Sequence, residues 1–305
     1  MQLQQTLRKN YSFEGKGLHT GKVARMTVCP APADTGIRFI RTDIGKDAVI
    51  EALAENVSNT ARSTTISKGD ASVSTIEHIM SALTGMGVDN AIIEIDNIEV
   101  PILDGSAKPY IDAIWNDGFE EQDAPRRYIE IQETVEIVNK EKGSVVRIEP
   151  AEEFSYNILV DFNSRVLGVQ NAVWNAGVTY AEEIGTCRTF VFFHEIEFLF
   201  NNGLVKGGDV DNAIVIVEHP VTEEQVNRMS QLFNVPALSV REDGYLSNLT
   251  LRFPNECARH KLLDLIGDLR LCGGFLKARI TAEKAGHGIN TTAAKAVRQQ
   301  QTKSI

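Results

Sequence analysis

Apolar residues along this chain recur with two different periods, and the switches between them mark its elements. Period-two alternation runs through VARMTVCPA and GIRFIRT, bounded by Gly, Pro and Asp turns, so both are predicted strands. STIEHIMSALTGMG, residues 74–87, has helical spacing instead, and the strand NAIIEID follows it. After the turn PILDGSA comes a helix over PYIDAIWNDG, ended by Gly118. Strands resume in RYIEIQETVEIV, SVVRIEPA and YNILVDF. EIEFLFNNG reads as a short helix closed by Gly203, and VTEEQVNRMSQLF as a helix opening on a capping box of Thr222 and Gln225. A further helix runs to about Cys272, the strand FLKARITAEK follows, and the polar tail AAKAVRQQQTKSI reads as a fraying helix. Strands and helices mix without strict βαβ alternation, which predicts an α+β class with two layered domains. The polar run EEQDAPRR (120–127) is the linker candidate, dividing the chain into 1–124 and 125–305.

Two pairs of segments echo each other. Taken from its second residue, STIEHIMSALTGMG aligns without gaps on CARHKLLDLIGDLR (257–270), placing His78 on His260, Leu83 on Leu265 and Gly85 on Gly267. GVDNAIIEI (87–95) recurs as DVDNAIVIV (209–217). The order differs, because the histidine helix precedes VDNAI in the first half and follows it in the second. Approximate duplication is therefore expected with a rearrangement or insertion in the second half, unless one echo is accidental.

Candidate chemistry gathers on the first echo. His260 and Asp264 are four residues apart, so both project from one helix face. Together with His78 they make two histidines and a carboxylate, the ligand set of a catalytic zinc site with an open position. Glu77 is a spare carboxylate beside His78, and Asp268 lies on the same broad face as His260 and Asp264. GHGIN (286–290) puts His287 in a glycine-flanked loop, and GLHTG (17–21) does the same for His19. Each histidine taken alone has an ordinary reading as a hydrogen-bonded or turn residue, and an i,i+4 His–Asp pair often only supports a helix. There is no HExxH, so a standard zincin is excluded.

Composition narrows the class. The 305 residues, 43% hydrophobic and 24% charged, are those of a globular chain long enough for two cores. A net charge of −10 argues against a general nucleic-acid binder, while leaving room for local Lys and Arg to take a phosphorylated small ligand. Four cysteines with no CxxC are expected as reduced thiols in a cytoplasmic protein. No secretory h-region opens the chain, and no stretch approaches the ~20 apolar residues of a membrane span.

The stretches GKGLHTG, STIEHIMSALTGMGVDN, PILDGSAKPY, CRTFVFF, RHKLLDLIGDL and AGHGIN, in this order and across both halves, resemble one family closely: the UDP-3-O-acyl-N-acetylglucosamine deacetylases of lipid A biosynthesis. The resemblance implies two domains, each a two-layer α/β sandwich, with the active site at their junction. It implies zinc-dependent hydrolysis of the substrate's N-acetyl group, with Zn2+ on His78, His260 and Asp264, although Fe2+ could fill the same ligands. Glu77 would be general base, and His287 general acid, held by Asp268. Thr189 would stabilise the oxyanion. Lys261 and Lys284 would meet the diphosphate and sugar, and Phe162 the uracil. His19 would join the substrate site. The segment from Phe190 to Val217 would cover the acyl chain, with Phe192, Ile196 and Val205 as lining candidates. Some relatives carry a fused hydroxyacyl-acyl-carrier-protein dehydratase, so a fused or separate dehydratase is an implied partner, and QQQTKSI reads as a cut linker or a natural end. Residues 218–256 look extended by a helix and a strand relative to shorter members. A zinc amidase of another substrate class and a non-catalytic nucleotide-binding protein remain the alternatives.

Overall fold

The computed structural model describes residues 2–201, 206–209, 211–232, 235 and 238–303. Its helices are α1 (Glu77–Gly85), α2 (Lys108–Ile114), α3 (Phe193–Asn201), α4 (Glu223–Leu232), α5 (Glu256–Leu269) and α6 (His287–Lys303).

Two sheets repeat one topology. The first runs in the order Tyr11–Lys16, Val23–Pro30, Ala91–Ile95, Ile37–Arg41, Val49–Glu51. The second runs Val135–Asn139, Ser144–Pro150, Phe275–Glu283, Ser155–Asp161, Val169–Asn175. In both, the last strand in sequence lies at the centre, antiparallel to the second and parallel to the third. A histidine helix, α1 or α5, precedes that central strand, and α2 or α6 follows it. The chain is thus an α+β protein built twice on one plan. Tyr128–Glu130 adds a parallel strand to the second sheet.

This topology decides between the two echoes. The structural counterpart of VDNAIIEI is the strand Phe275–Glu283. The second VDNAI copy instead contributes Ile214–Ile216, which pairs in parallel with Phe190–Phe192 outside both main sheets. The histidine-helix echo marks the duplication, and the VDNAI echo joins strands that are not equivalent.

Alternation explains the layering. In Phe275–Glu283, Leu276, Ala278, Ile280 and Ala282 point into the core and their neighbours do not. One apolar core continues from Met26, Phe39 and Ile93 through α1 and α5 to Ile148, Ile158 and Ile280. Helices α1 and α5 pack directly on each other where Gly267 permits close approach, and the aligned Gly85 makes room for Tyr180. A Cβ on Gly267 would stand 2.1 Å from the Glu77 carbonyl oxygen, and one on Gly85 would stand 2.1 Å from the Tyr180 ring.

Four local readings change. The polar stretch read as a linker forms most of the strand Phe119–Pro125, which pairs with Leu3–Leu7. Its polarity is satisfied laterally: Asn90 donates to Gln4 and Gln122, and Gln122 donates to the Ala31 carbonyl. His287 begins α6 rather than sitting in a loop. Ala293, Ala294 and Val297 bury one face of that helix, so the tail is packed as far as Val297 rather than fraying from its start. In 218–256, α4 is present, opened by reciprocal hydrogen bonds between Thr222 and Gln225. The extra strand is reduced to isolated bridges, Val240 with Leu246 and Ile216 with Tyr245.

Candidate active site and metal centre

The N-terminal half of α1 and the middle of α5 bring Glu77 and His78 against His260 and Asp264. The two imidazoles meet edge to face, ring centroids 5.0 Å apart. Their Nε2 atoms lie 3.7 Å (His78) and 3.4 Å (His260) from Asp264 Oδ1. The three candidate ligand atoms all fall within 4.8 Å of one another, a group that could hold a metal ion. All three residues are buried, and Asp264 Oδ1 has no hydrogen-bond partner among the described residues. A buried carboxylate oxygen without a donor is costly unless a cation completes it, so the residues fit a metal.

Their protonation suits the same role. Burial, then the neighbouring His260, pushes His78 down to about 3, and burial also lowers His260. Both imidazoles are therefore neutral, as ligands must be. His260 Nδ1 lies 3.0 Å from the Cys187 carbonyl, which accepts a hydrogen bond from the Nδ1–H and leaves Nε2 with the lone pair. Burial works against the Asp264 carboxylate, but the Lys261 ammonium, with the raised His287 behind it, outweighs burial and holds its pKa below the usual range. Lys261 Nζ donates to Asp264 Oδ2 at 2.8 Å.

Glu77 and His287 face the same space. Burial first, then Asp264 and Asp268, raises Glu77 to about 7, although His287 opposes the shift. Burial alone would depress His287, but Asp268 and Glu77 raise it to about 9. Its Nδ1 donates to Asp268 Oδ2 at 2.9 Å, which leaves Nε2 as the free nitrogen.

A cavity of about 260 Å3 unites most of the expected residues: Glu77, His78, His260, Asp264, His287, Thr189, Lys261, Phe162, Phe190 and Phe192 all line it. Thr189 is fixed from both sides, its N–H donating to the Gly105 carbonyl and its carbonyl accepting from Ile214. Phe162 stands edge to face with Phe190 and Phe192, at 5.5 and 5.8 Å. Lys284 is not on the cavity wall and instead pairs with Asp161, the neighbour of Phe162, at 2.8 Å. His19 is displaced too: Leu18 lines the cavity, while the His19 ring nitrogens are buried without partners among the described residues. Ile196 packs into a small separate core with Phe193, Val215, Val217 and Met229 rather than on the cavity wall. Val205 lies outside the described residues.

Sequence reasoning missed three contributors. Arg62 and Glu195 pair across the cavity rim at 3.0 Å, linking the two halves. Arg188 and Glu256 form a buried bidentate pair that ties the segment carrying Cys187 and Thr189 to the start of α5. Thr64 contacts two of the buried carboxylates. Each pairing is too long-range for a spacing pattern; only the adjacency of Arg188 to Thr189 was visible.

Among the described residues no helix is long and apolar enough to cross a membrane. The chain is 43% identical over 300 residues to a bifunctional enzyme LpxC/FabZ of Porphyromonas gingivalis, covering 98% of this chain and 65% of that protein. It is 40% identical over 290 residues to the UDP-3-O-acyl-N-acetylglucosamine deacetylase of Teredinibacter turnerae, covering 94% and 87%. It is 39% identical over 300 residues to that of Cellvibrio japonicus, covering 97% and 90%. The chain thus spans somewhat less than two thirds of the length of the bifunctional relatives and most of the length of the others. The family described as LpxC, UDP-3-O-acyl N-acetylglycosamine deacetylase, matches residues 4–234 and 231–299, and this chain belongs to it.

Proposed function

We propose that this chain hydrolyses the N-acetyl group of UDP-3-O-acyl-N-acetylglucosamine in lipid A biosynthesis, releasing acetate and the free amine, with zinc held by His78, His260 and Asp264. The observation that carries the reading is the convergence of the two Nε2 atoms on an Asp264 oxygen that has no hydrogen-bond partner among the described residues, in a cavity that Glu77 and His287 also line. Relatives named for this deacetylation support the substrate class.

Zinc, or Fe2+ on the same donors, would supply Lewis acidity to the reacting carbonyl and water. The chain's own side chains handle the protons. Glu77, near neutral pKa, accepts a proton from the attacking water. The Thr189 hydroxyl donates to the carbonyl oxygen as it gains charge. His287, held by Asp268 through Nδ1, gives the Nε2 proton to the nitrogen as the C–N bond breaks. Phe190 and Phe192 cover the acyl chain near the reacting carbon, Phe162 packs on the uracil, and Lys261 and Lys284 meet the sugar and diphosphate.

The site lies at the junction of two proposed domains, 1–124 and 125–305. A cytoplasmic location suits four cysteines that form no disulfide. A dehydratase partner, fused or separate, stays part of the proposal, since relatives carry the name LpxC/FabZ. Comparing acetate release from the UDP-linked substrate and from simple acetylated sugars tests the assignment. Equal rates on both would replace it with a general amidase.

A further inference from the structure

We propose that Thr64 is the positioning residue that locks the site's proton acceptor and proton donor to one another. Thr64 is fully buried, at the end of the turn joining the strands Val57–Asn59 and Thr65–Lys68. Asn59 Oδ1 accepts the Ala61 N–H at 2.8 Å, and Arg62 adopts φ of 66°, so the chain reverses within this short turn. Thr64 is thereby driven inward between α1 and α5.

All three of its polar groups are used there. Its N–H donates to Glu77 Oε2 at 2.9 Å. Its hydroxyl donates to Asp268 Oδ1 at 2.5 Å. Its carbonyl accepts from Ile76, the residue preceding α1, at 3.4 Å. One residue thus reaches the carboxylate of the proposed base and the carboxylate that orients the proposed acid. Asp268 Oδ2 already accepts from His287 and Asn290. The Thr64 hydroxyl is the partner at Oδ1. A carboxylate's terminal torsion is broad, so donors on both oxygens are what fix its plane. Without the hydroxyl, Asp268 can turn, and the His287 ring turns with it.

The inference rests on the proton roles assigned above to Glu77 and His287. Thr64→Val is nearly isosteric, keeps the backbone donor to Glu77 and removes only the hydroxyl. In the metal-loaded full chain, kcat is expected to fall about tenfold or more, as for one hydrogen bond to a charged group, with KM within about twofold. Thr64→Ser should restore kcat. The low-field proton resonance of His287 Nδ1–H, identified by its loss in His287→Gln, should shift or broaden in Thr64→Val and persist in Thr64→Ser. Should Thr64→Val not fold, Thr64→Ala is read by the same measures. Wild-type kcat without the hydroxyl, an unchanged resonance, or a Ser variant no better than Val would each overturn the positioning role. Glu77→Gln and His287→Gln separate the two failures. If both turn over like wild type, the proton roles fall and the inference with them. If both are impaired while Thr64→Val is not, the role of Thr64 alone is wrong.

Discussion

His287 Nδ1 sits 2.9 Å from Asp268 Oδ2 although both side chains are buried, so the pairing favours a cationic imidazole beside a carboxylate largely shielded from solvent. This fixes a direction in pH. The folded-state pKa of His287, about 9, lies above its ordinary value of 6.5. Its stabilising contribution is complete below 6.5 and lost as pH rises through 9. In metal-free protein the melting temperature should therefore fall between those limits, and Asp268→Asn should flatten that slope. The same slope in both proteins would show that His287 is neutral in the fold.

Activity should follow a bell in kcat/KM. On the proposed roles, the acidic limb would reflect ionisation of Glu77, and the basic limb deprotonation of His287. Glu77→Gln and His287→Gln should each lower turnover by about a hundredfold or more and flatten their own limb. Retention of both limbs in both variants would assign the protons to other groups.

Gly267 is where the two halves of the metal group are held together. Gly267→Ala would put a Cβ against the Glu77 carbonyl and push α1 from α5, at a cost of about 1–3 kcal/mol. Because His78 travels with α1, and His260 and Asp264 with α5, metal affinity should fall along with stability. A titration with zinc against a competing chelator checks this. Destabilisation without weaker metal binding would mean the site tolerates the shift.

The buried Arg188–Glu256 pair makes a contrasting case. Glu256→Ala leaves the buried Arg188 charge without its carboxylate, with only the Thr250 carbonyl still accepting from it, and should cost about 3–5 kcal/mol, read from denaturant midpoints. A change under 1 kcal/mol would show that the guanidinium finds water or another carbonyl.

What the chain revealed in advance follows from the range of each signal. Helical spacing around His78 and His260, and the i,i+4 relation to Asp264, are local and survive folding unchanged. The VDNAI echo is shared by strands that are not equivalent: in each copy it leads into a strand, Ala91–Ile95 or Ile214–Ile216, while the pairing partners are set by the rest of the sheet. The supposed linker is a strand whose Glu120, Glu121 and Asp123 are solvated while Gln122 bonds to Asn90 and Ala31, a difference composition cannot show. Ile196 reads as a passage residue by its apolar neighbours, yet the same pattern serves the small core it joins with Val215 and Met229. Thr64 and Glu77 are 13 residues apart, and Thr64 and Asp268 are 204 apart, so no motif joins them.

The most direct measurement is acetate release from UDP-3-O-acyl-N-acetylglucosamine by chelator-stripped protein as zinc is added back. Three ligands with one open position predict that activity rises linearly and saturates near one zinc per chain, and that Asp264→Ala neither binds the zinc nor gains activity. Full turnover in the stripped protein, or in Asp264→Ala, would contradict the account.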